Sequence, residues 1–403
     1  MARVLENVGK DLLNKSGIPT PKYVVVEDEL QAREAAEDLG YPIVVKALVT
    51  VGKRGKSGAV KFAENAEEAE AAAKSILNMT VRNFPVEKIL IEQKLEIEKE
   101  LYISVAYDEI NQAPVIIASS EGGVDIEEIA KKFPDRIVQH SVDVLNGFHA
   151  YQAKEISAAL GLKGKMLQMA TQVIYRIYNF FIHYDATVVE INPLALTSEG
   201  NLVAAAILMG VDDDALYRQP ELRDKVEPGS DRSWRPLTAL EKEMVAVDAA
   251  ESYRGTARYT EMEGGDIGFL CGGGGGSLLA YDALLRFGGQ PANYTEFGGN
   301  PTETKVAGLV KGVLSKPGVK SFFMDANITN NTQTDVVAKG IINAFEDKGI
   351  DPLKFPVVIR LAGVNDVKAR EIFKAAEIEY YGDDSTMEDV AKIIVERMKQ
   401  VYK

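Results

Sequence analysis

The sequence predicts two architectures in succession: an α+β first half, then an α/β second half built on a parallel, doubly wound sheet. Three observations support this. From about residue 247 onward, short apolar runs alternate with amphipathic stretches in five successive units, the pattern of parallel strands joined by crossover helices. Before residue 218, strands outnumber helices and some pair as hairpins. Between the halves, "RQPELRDKVEPGSDRSWRP" at 218–236 is polar and interrupted by proline, as a linker is. The expected division is 1–217, a linker over 218–246, and 247–403.

In the first half, "YPIVVKALV" is an apolar strand carrying Lys46, and "TVGKRGKSGAVKF" is a basic glycine loop returning to extended chain. "NAEEAEAAAKSILNM" is a helix by composition and spacing. "VEKILIEQKLEIEKELYISVAYD" holds strands bearing Glu92 and Glu100, and "TVVEINPLALTSEGNLVAAAILM" folds back at Ser198-Glu199-Gly200. In the second half, "DIGFLC" is a buried strand, followed by five glycines and a helix from Ser277 that stops at Gly288-Gly289. The strands in "PANYTEF", "KSFFMDAN", "FPVVIRLAG" and "IEYYG" are each followed by a helix. In such a sheet the βα loops share the carboxyl edge of the strands, where ligands bind. Loops 272–277, 298–302 and 327–335, rich in Gly, Asn and Thr, are therefore expected at one pocket.

Composition narrows the function. With 60 acidic and 46 basic residues the formal net charge is -14, which argues against nucleic acid as a general partner. Cys271 is the single cysteine and His140, His149 and His183 are the only histidines, so a disulfide framework or a thiolate or multi-histidine metal site is not expected. "MARVLENVGKDLL" lacks the pattern of a signal peptide, and no apolar run approaches the ~20 residues of a membrane span. A cytoplasmic protein without a membrane partner is the expectation.

Three motifs bear on chemistry. The glycine run is not a Walker loop, since no Lys-Ser/Thr pair follows it, and Ser277 stands where a dinucleotide fingerprint needs its third glycine. Glu296, about twenty residues on, keeps a nicotinamide reading in play. A glycine nest opening a helix presents free N–H groups to an anion; the alternative is a tight packing turn. Lys46 with the "GKRGKSG" loop suits a nucleotide, one fixed charge for a phosphate and a lid to cover it; the alternative is a solvated basic loop. In "EINPL", Glu190 and Asn192 fall on one side of a strand, where an acid and an amide oxygen can coordinate a hard cation such as Mg2+; such pairs also arise by chance on an exposed strand face.

Together these segments resemble the β subunit of succinyl-CoA synthetase and its relatives, the ADP-forming acyl-CoA ligases that include ATP citrate lyase. The resemblance runs nearly end to end through "VVKALVTVGKRGKSGAVK", "IEQKLEIEKELYISVAYD", "SSEGGVDIEEIA", "YQAKEISAALGLKGK", "VVEINPL" and "DDDALYRQPELR", in the family's order. It implies an α+β ATP-grasp domain followed by a flavodoxin-like ligase domain. It also implies that Lys46, Arg54, Gly55, Glu92 and Glu100 bind the nucleotide, with Lys46 at the phosphates and the two glutamates on the adenine and ribose side. Asn192 matches a Mg2+ ligand, and Glu190 matches the catalytic acid that meets the phosphohistidine. Gly273, Gly274, Gly275, Gly276 and Ser277 match the helix start that holds the phosphorylated histidine of a partner.

None of the three histidines lies in the family's phosphohistidine loop, so the resemblance implies half an enzyme. An α-type subunit would bring the phosphohistidine and most of the CoA site, giving a hetero-oligomer that uses ATP, Mg2+ and CoA on a small carboxylate. "ANYTEFGGNPTE" and "TNNTQTD" are closer to ATP citrate lyase than to succinate-specific relatives, and Gly299, Asn330 and Thr332 match its citrate-binding glycine, asparagine and threonine. Citryl-CoA formation is the expected reaction. Succinyl-CoA or malyl-CoA synthesis, and a non-catalytic binding subunit, are the alternatives. Two positions depart from the family: Leu361 stands where the citrate-binding arginine would be, and Ala205 or Ala206 where a second Mg2+-binding aspartate would be, leaving Asp212 or Asp213 as the nearest acids.

Overall fold

In the computed structural model, residues 1–403 are described except 53, 124–125, 133, 227–234 and 403. The chain divides into two compact units, Met1–Pro236 and Leu237–Lys403. Part of the expected linker lies outside the described residues. Its last part is not a linker: Ala239–Ala250 form a helix, opened by a capping box in which Thr238 accepts from the Glu241 N–H and Glu241 reaches back to the Thr238 N–H.

In the first unit the strands are β1 (Ala2–Val4), β2 (Tyr23–Val26), β3 (Ile43–Ala47), β4 (Val60–Ala63), β5 (Thr80–Val81), β6 (Phe84–Pro85), β7 (Ile89–Gln93), β8 (Ile97–Asp108), β9 (Ala113–Ser119), β10 (Ile137–Ser141), β11 (Ala186–Thr197), β12 (Leu202–Ala204) and β13 (Ile207–Val211). They form a four-stranded antiparallel sheet ordered β2-β7-β3-β4 and a seven-stranded sheet ordered β1-β13-β11-β8-β9-β10, with β12 on β11; β5 and β6 pair alone.

Strand alternation decides what each face of the small sheet does. Ile43, Val45, Ala47, Ile89 and Ile91 point to one side and pack with alanines of the helices Glu29–Leu39 and Ala66–Leu77. Those helices start cleanly because Asp28 and Asn65 accept the Gln31 and Glu68 N–H groups. Lys46 and Glu92 fall on the opposite face, since Val44 pairs with Glu92 and Lys46 with Leu90. The first helix, Glu6–Lys15, buries Val8, Leu12 and Leu13 in the core of the large sheet. The same helix carries Glu6 and Lys10, four residues apart and outside that core.

In the second unit, β14 (Thr256–Glu261), β15 (Ile267–Gly272), β16 (Asn293–Gly298), β17 (Ser321–Thr329), β18 (Val357–Gly363) and β19 (Tyr380–Tyr381) make one sheet ordered β14-β16-β15-β17-β18-β19. The five expected parallel strands are present. β14 joins β16 antiparallel at the edge, a strand absent from the sequence-based expectation. The helix after the glycine run starts at Gly274, three residues earlier than expected, with Gly273 as its N-cap at φ +93°. Helices pack on both faces: one core holds Val306, Leu309, Val337 and Ile341, the other Ala280, Leu284, Val390 and Ile394.

Candidate functional site

Five ionised side chains meet where the first helix crosses the polar face of the small sheet. The Lys10 ammonium, fully buried, donates to Glu6 at 2.9 Å and also to Glu92. Lys46 donates to Glu92 at 2.8 Å, to the Ala205 carbonyl at 2.9 Å and to Glu6 at 3.4 Å. Arg54 donates to Glu6 and, at 2.9 Å, to the Ala47 carbonyl. Burial pushes the Glu6 carboxyl up, but Arg54, Lys46 and Lys10 together hold it well below the usual carboxylate range. Burial depresses Lys46 too, and the carboxylates of Glu6 and Glu92 outweigh it, leaving the ammonium more basic than usual. For Lys10, burial and the nearby Lys46 win, and its affinity for the proton falls.

Lys46 and Arg54 also face a cavity of about 500 Å3 in the same unit, a size typical of small-molecule sites. Gly52, Gly55, Lys56, Phe62, Glu100, Gly123, Glu190, Asn192 and Ala206 are among its other lining residues. Glu190 accepts from the Tyr102 hydroxyl at 3.3 Å, and the Asn192 amide oxygen accepts the Gly123 N–H at 2.8 Å. The Asn192 N–H meets the Ala206 carbonyl across the ladder at 3.4 Å, so Ala206 stands beside Asn192.

Two expectations need correction here. Glu92 is not on the cavity wall: it sits on β7, between β2 and β3, where flanking strands and the first helix cover it, and it anchors Lys46 instead. Asp212 and Asp213 do not substitute for an acid at Ala206. Asp212 caps its own turn through the Asp214 N–H, and Asp213 meets the Met1 amine at 2.8 Å. Among the described residues no group of three or more His, Cys, Asp or Glu could hold a metal ion.

In the second unit the three expected loops do meet at the carboxyl ends of β15, β16 and β17. Gly273 donates its N–H to Phe297 at 2.8 Å, Thr332 donates to the Gly299 carbonyl at 3.3 Å, and the Gln333 N–H reaches Asn300 at 3.1 Å. Gly299 has φ +62°, and Asn330 is exposed beside Thr332. Ser277, expected among the anion donors, is buried; its hydroxyl lies 2.8 Å from Glu296 and 2.5 Å from the Tyr294 hydroxyl. Leu361 is buried and offers the loops no charge, whereas the half-buried Arg254 donates to the Asn300 carbonyl at 2.7 Å. Sequence reasoning missed Arg254 because no motif surrounds it; the bend at Gly255, where a Cβ would meet Pro301 at 2.8 Å, is what brings it in.

Known proteins match this arrangement along its length. The ATP-grasp domain family matches residues 3–196, and the family described as ATP citrate lyase citrate-binding matches residues 235–397. The β subunit of the ADP-forming succinate–CoA ligase of Ignicoccus hospitalis is 37% identical over 397 residues, covering 98% of this chain and 99% of its own. The corresponding subunit of Rubrobacter xylanophilus is 37% identical over 392 residues, 97% of each chain. In fold, the ATP citrate lyase of Methanothrix soehngenii, solved with citrate and coenzyme A, superposes with a TM-score of 0.78 over 98% of this chain and 99% of that one, at 20% identity. An ATP-grasp unit followed by a parallel-sheet ligase unit defines an acid–thiol ligase of the ADP-forming class. The chain belongs to the succinate–CoA ligase β-subunit family.

Proposed function

We propose that this chain is the nucleotide-binding subunit of a carboxylate–CoA ligase that activates citrate. The γ-phosphoryl group of ATP would pass to a histidine of an α-type partner, releasing ADP, and from there to a citrate carboxylate; the CoA thiol would then attack the acyl phosphate, displacing phosphate to give citryl-CoA. The observation that most supports the nucleotide half is the charge of the buried cluster: three cations, Lys10, Lys46 and Arg54, against two carboxylates, Glu6 and Glu92. A buried surplus of positive charge is costly unless an anion completes it. Only Lys46 and Arg54 of the cluster reach the cavity, so that anion is a phosphate entering there.

Glu100, which lines the same cavity, would accept from a ribose hydroxyl. Gly123 allows this approach, since a Cβ there would collide with the Glu100 carboxylate. Asn192 and Glu190 offer one amide oxygen and one carboxylate, a donor set that fits Mg2+, which keeps several waters and shares phosphate oxygens. Bound there, Mg2+ would neutralise charge developing on the phosphates. Glu190 would also hold one nitrogen of the partner's histidine, leaving the other to take the phosphoryl group.

For the acid, support comes from the match of residues 235–397 to a citrate-binding family and from the neutral donors at Gly299, Asn330 and Thr332, with Arg254 as the nearby cation. A hydroxylated tricarboxylate needs a hydrogen-bond partner for its hydroxyl once buried. The succinate–CoA ligase relatives favour a second reading, succinyl-CoA synthesis. The test is ADP release by the chain assembled with its α-type partner, given ATP, Mg2+, CoA and one acid at a time. Citrate-dependent release is expected. Release with succinate or malate and none with citrate would overturn the choice of acid and leave the ligase reading standing.

A further inference from the structure

Lys10 is the one cation of the buried cluster that does not reach the cavity. It touches Glu6 and Glu92 and lies outside the cavity lining. Its ammonium is fully buried. Without it, the cluster would hold two cations and two carboxylates and would close on itself as a neutral network. Lys46 and Arg54 would then be spent on Glu92 and Glu6, with no surplus charge to offer a ligand.

Lys10 changes that balance by engaging the same two carboxylates. Glu6 accepts from Lys10, Lys46 and Arg54, and Glu92 from Lys10 and Lys46. Each carboxylate is therefore shared, and one full positive charge is left over. A buried unpaired charge is normally strongly destabilising. Here the surplus sits beside an opening, where Lys46 and Arg54 are the only two members within reach of a ligand. We propose that Lys10 is a positioning residue for nucleotide binding: from outside the cavity lining it takes up part of the negative charge of Glu6 and Glu92 and so frees Lys46 and Arg54 for phosphate. This rests on the nucleotide reading of the cavity.

The effect is electrostatic and so is specific to phosphate. Removing one nearby unit charge, at an effective dielectric near 20, corresponds to a loss of roughly 10- to 50-fold in affinity. It should leave adenosine, which has no phosphate, unaffected. The experiment uses the full chain assembled with its partner and measures ATP and adenosine affinity by competition with a labelled nucleotide.

K10M is expected to weaken ATP at least tenfold and adenosine less than threefold. E6Q/K10M restores the surplus of one positive charge and should return ATP to within about threefold of wild type. Rescue by removing a second charge is something a merely structural lysine would not produce. A parallel loss of ATP and adenosine in K10M, or no rescue in the double variant, overturns the proposal. If K10M does not fold, E6Q alone decides: the added surplus should tighten ATP relative to adenosine, and an unchanged ratio refutes the idea. K46A separates the two readings. If K46A leaves ATP affinity intact, the nucleotide reading of the cavity fails; if K46A abolishes binding while K10M does nothing, only the role of Lys10 fails.

Discussion

Asp325 sits fully buried on β17, its carboxylate 3.3 Å from the Arg360 guanidinium, which also donates to the carbonyls of Ala326 and Ser385. Burial pushes the Asp325 carboxyl up to about 7 in spite of Arg360. An unfolded aspartate titrates near ~3.9, so the folded protein binds this proton more tightly. The stabilisation is therefore complete below about pH 4 and is lost as pH rises through about 7. Between pH 5 and pH 8 the loss amounts to roughly 2–3 kcal/mol. Denaturant midpoints for the wild type should fall across this range, and D325N, which cannot titrate, should show a flatter profile. Equal slopes would mean the pH dependence lies elsewhere. The same scale shows what a sequence hides. Lys46 was legible as a lone cation on an apolar strand, but Glu6 and Lys10, four apart on an amphipathic helix, have the spacing of an ordinary solvated pair. Their burial depends on Glu92, which is 82 positions from Lys10 and which only the folded sheet brings to it.

At the scale of elements, the five glycines serve different purposes. Gly273 needs its positive φ to turn the chain from β15 into the helix, and a Cβ on Gly276 would lie 3.0 Å from the Asn327 amide. Gly275 has neither constraint: nothing lies within 4 Å of a Cβ built there. A glycine without steric need, in the first turn of a helix, is explained if a ligand approaches the N–H groups closely. G275A should therefore keep or raise the melting temperature, since alanine is favoured over glycine in a helix by up to about 1 kcal/mol. In the assembled enzyme it should cut carboxylate-dependent ADP release at least tenfold. Undiminished turnover would assign the run to packing alone. The strand–helix alternation of this half was legible because each parallel strand is a continuous apolar run. β14 was not, because "TARYTE" alternates buried and exposed residues at a sheet edge and lacks such a run. The early helix start was missed for a related reason: glycine disfavours helix by propensity, and the packing of Ala280, Ala283 and Leu284 overrides it.

On the scale of the whole molecule, the four hydrophobic cores among the described residues fall cleanly into the two units. Two draw only on residues before Pro236 and two only on residues after it. A ligand stabilises the unit whose folded form it binds, by about 2.7 kcal/mol at one hundred times its dissociation constant. The cavity at Lys46 and Arg54 is lined wholly by the first unit, and the loops at Gly299, Asn330 and Thr332 belong to the second. Calorimetry of the full chain should then resolve two transitions with different ligand responses. ATP with Mg2+ should raise one by roughly 5–10 °C, and citrate should raise the other by a similar amount, as expected for units of this size. The arrangement has a chemical logic, because phosphoryl donor and acceptor acid would bind on separately folded supports and the partner's histidine would connect them. A transition that moves with both ligands together would show that the units fold as one cooperative body. Citrate raising the same transition as ATP, with the other unmoved, would place the acid in the first unit and remove Gly299, Asn330 and Thr332 from its site.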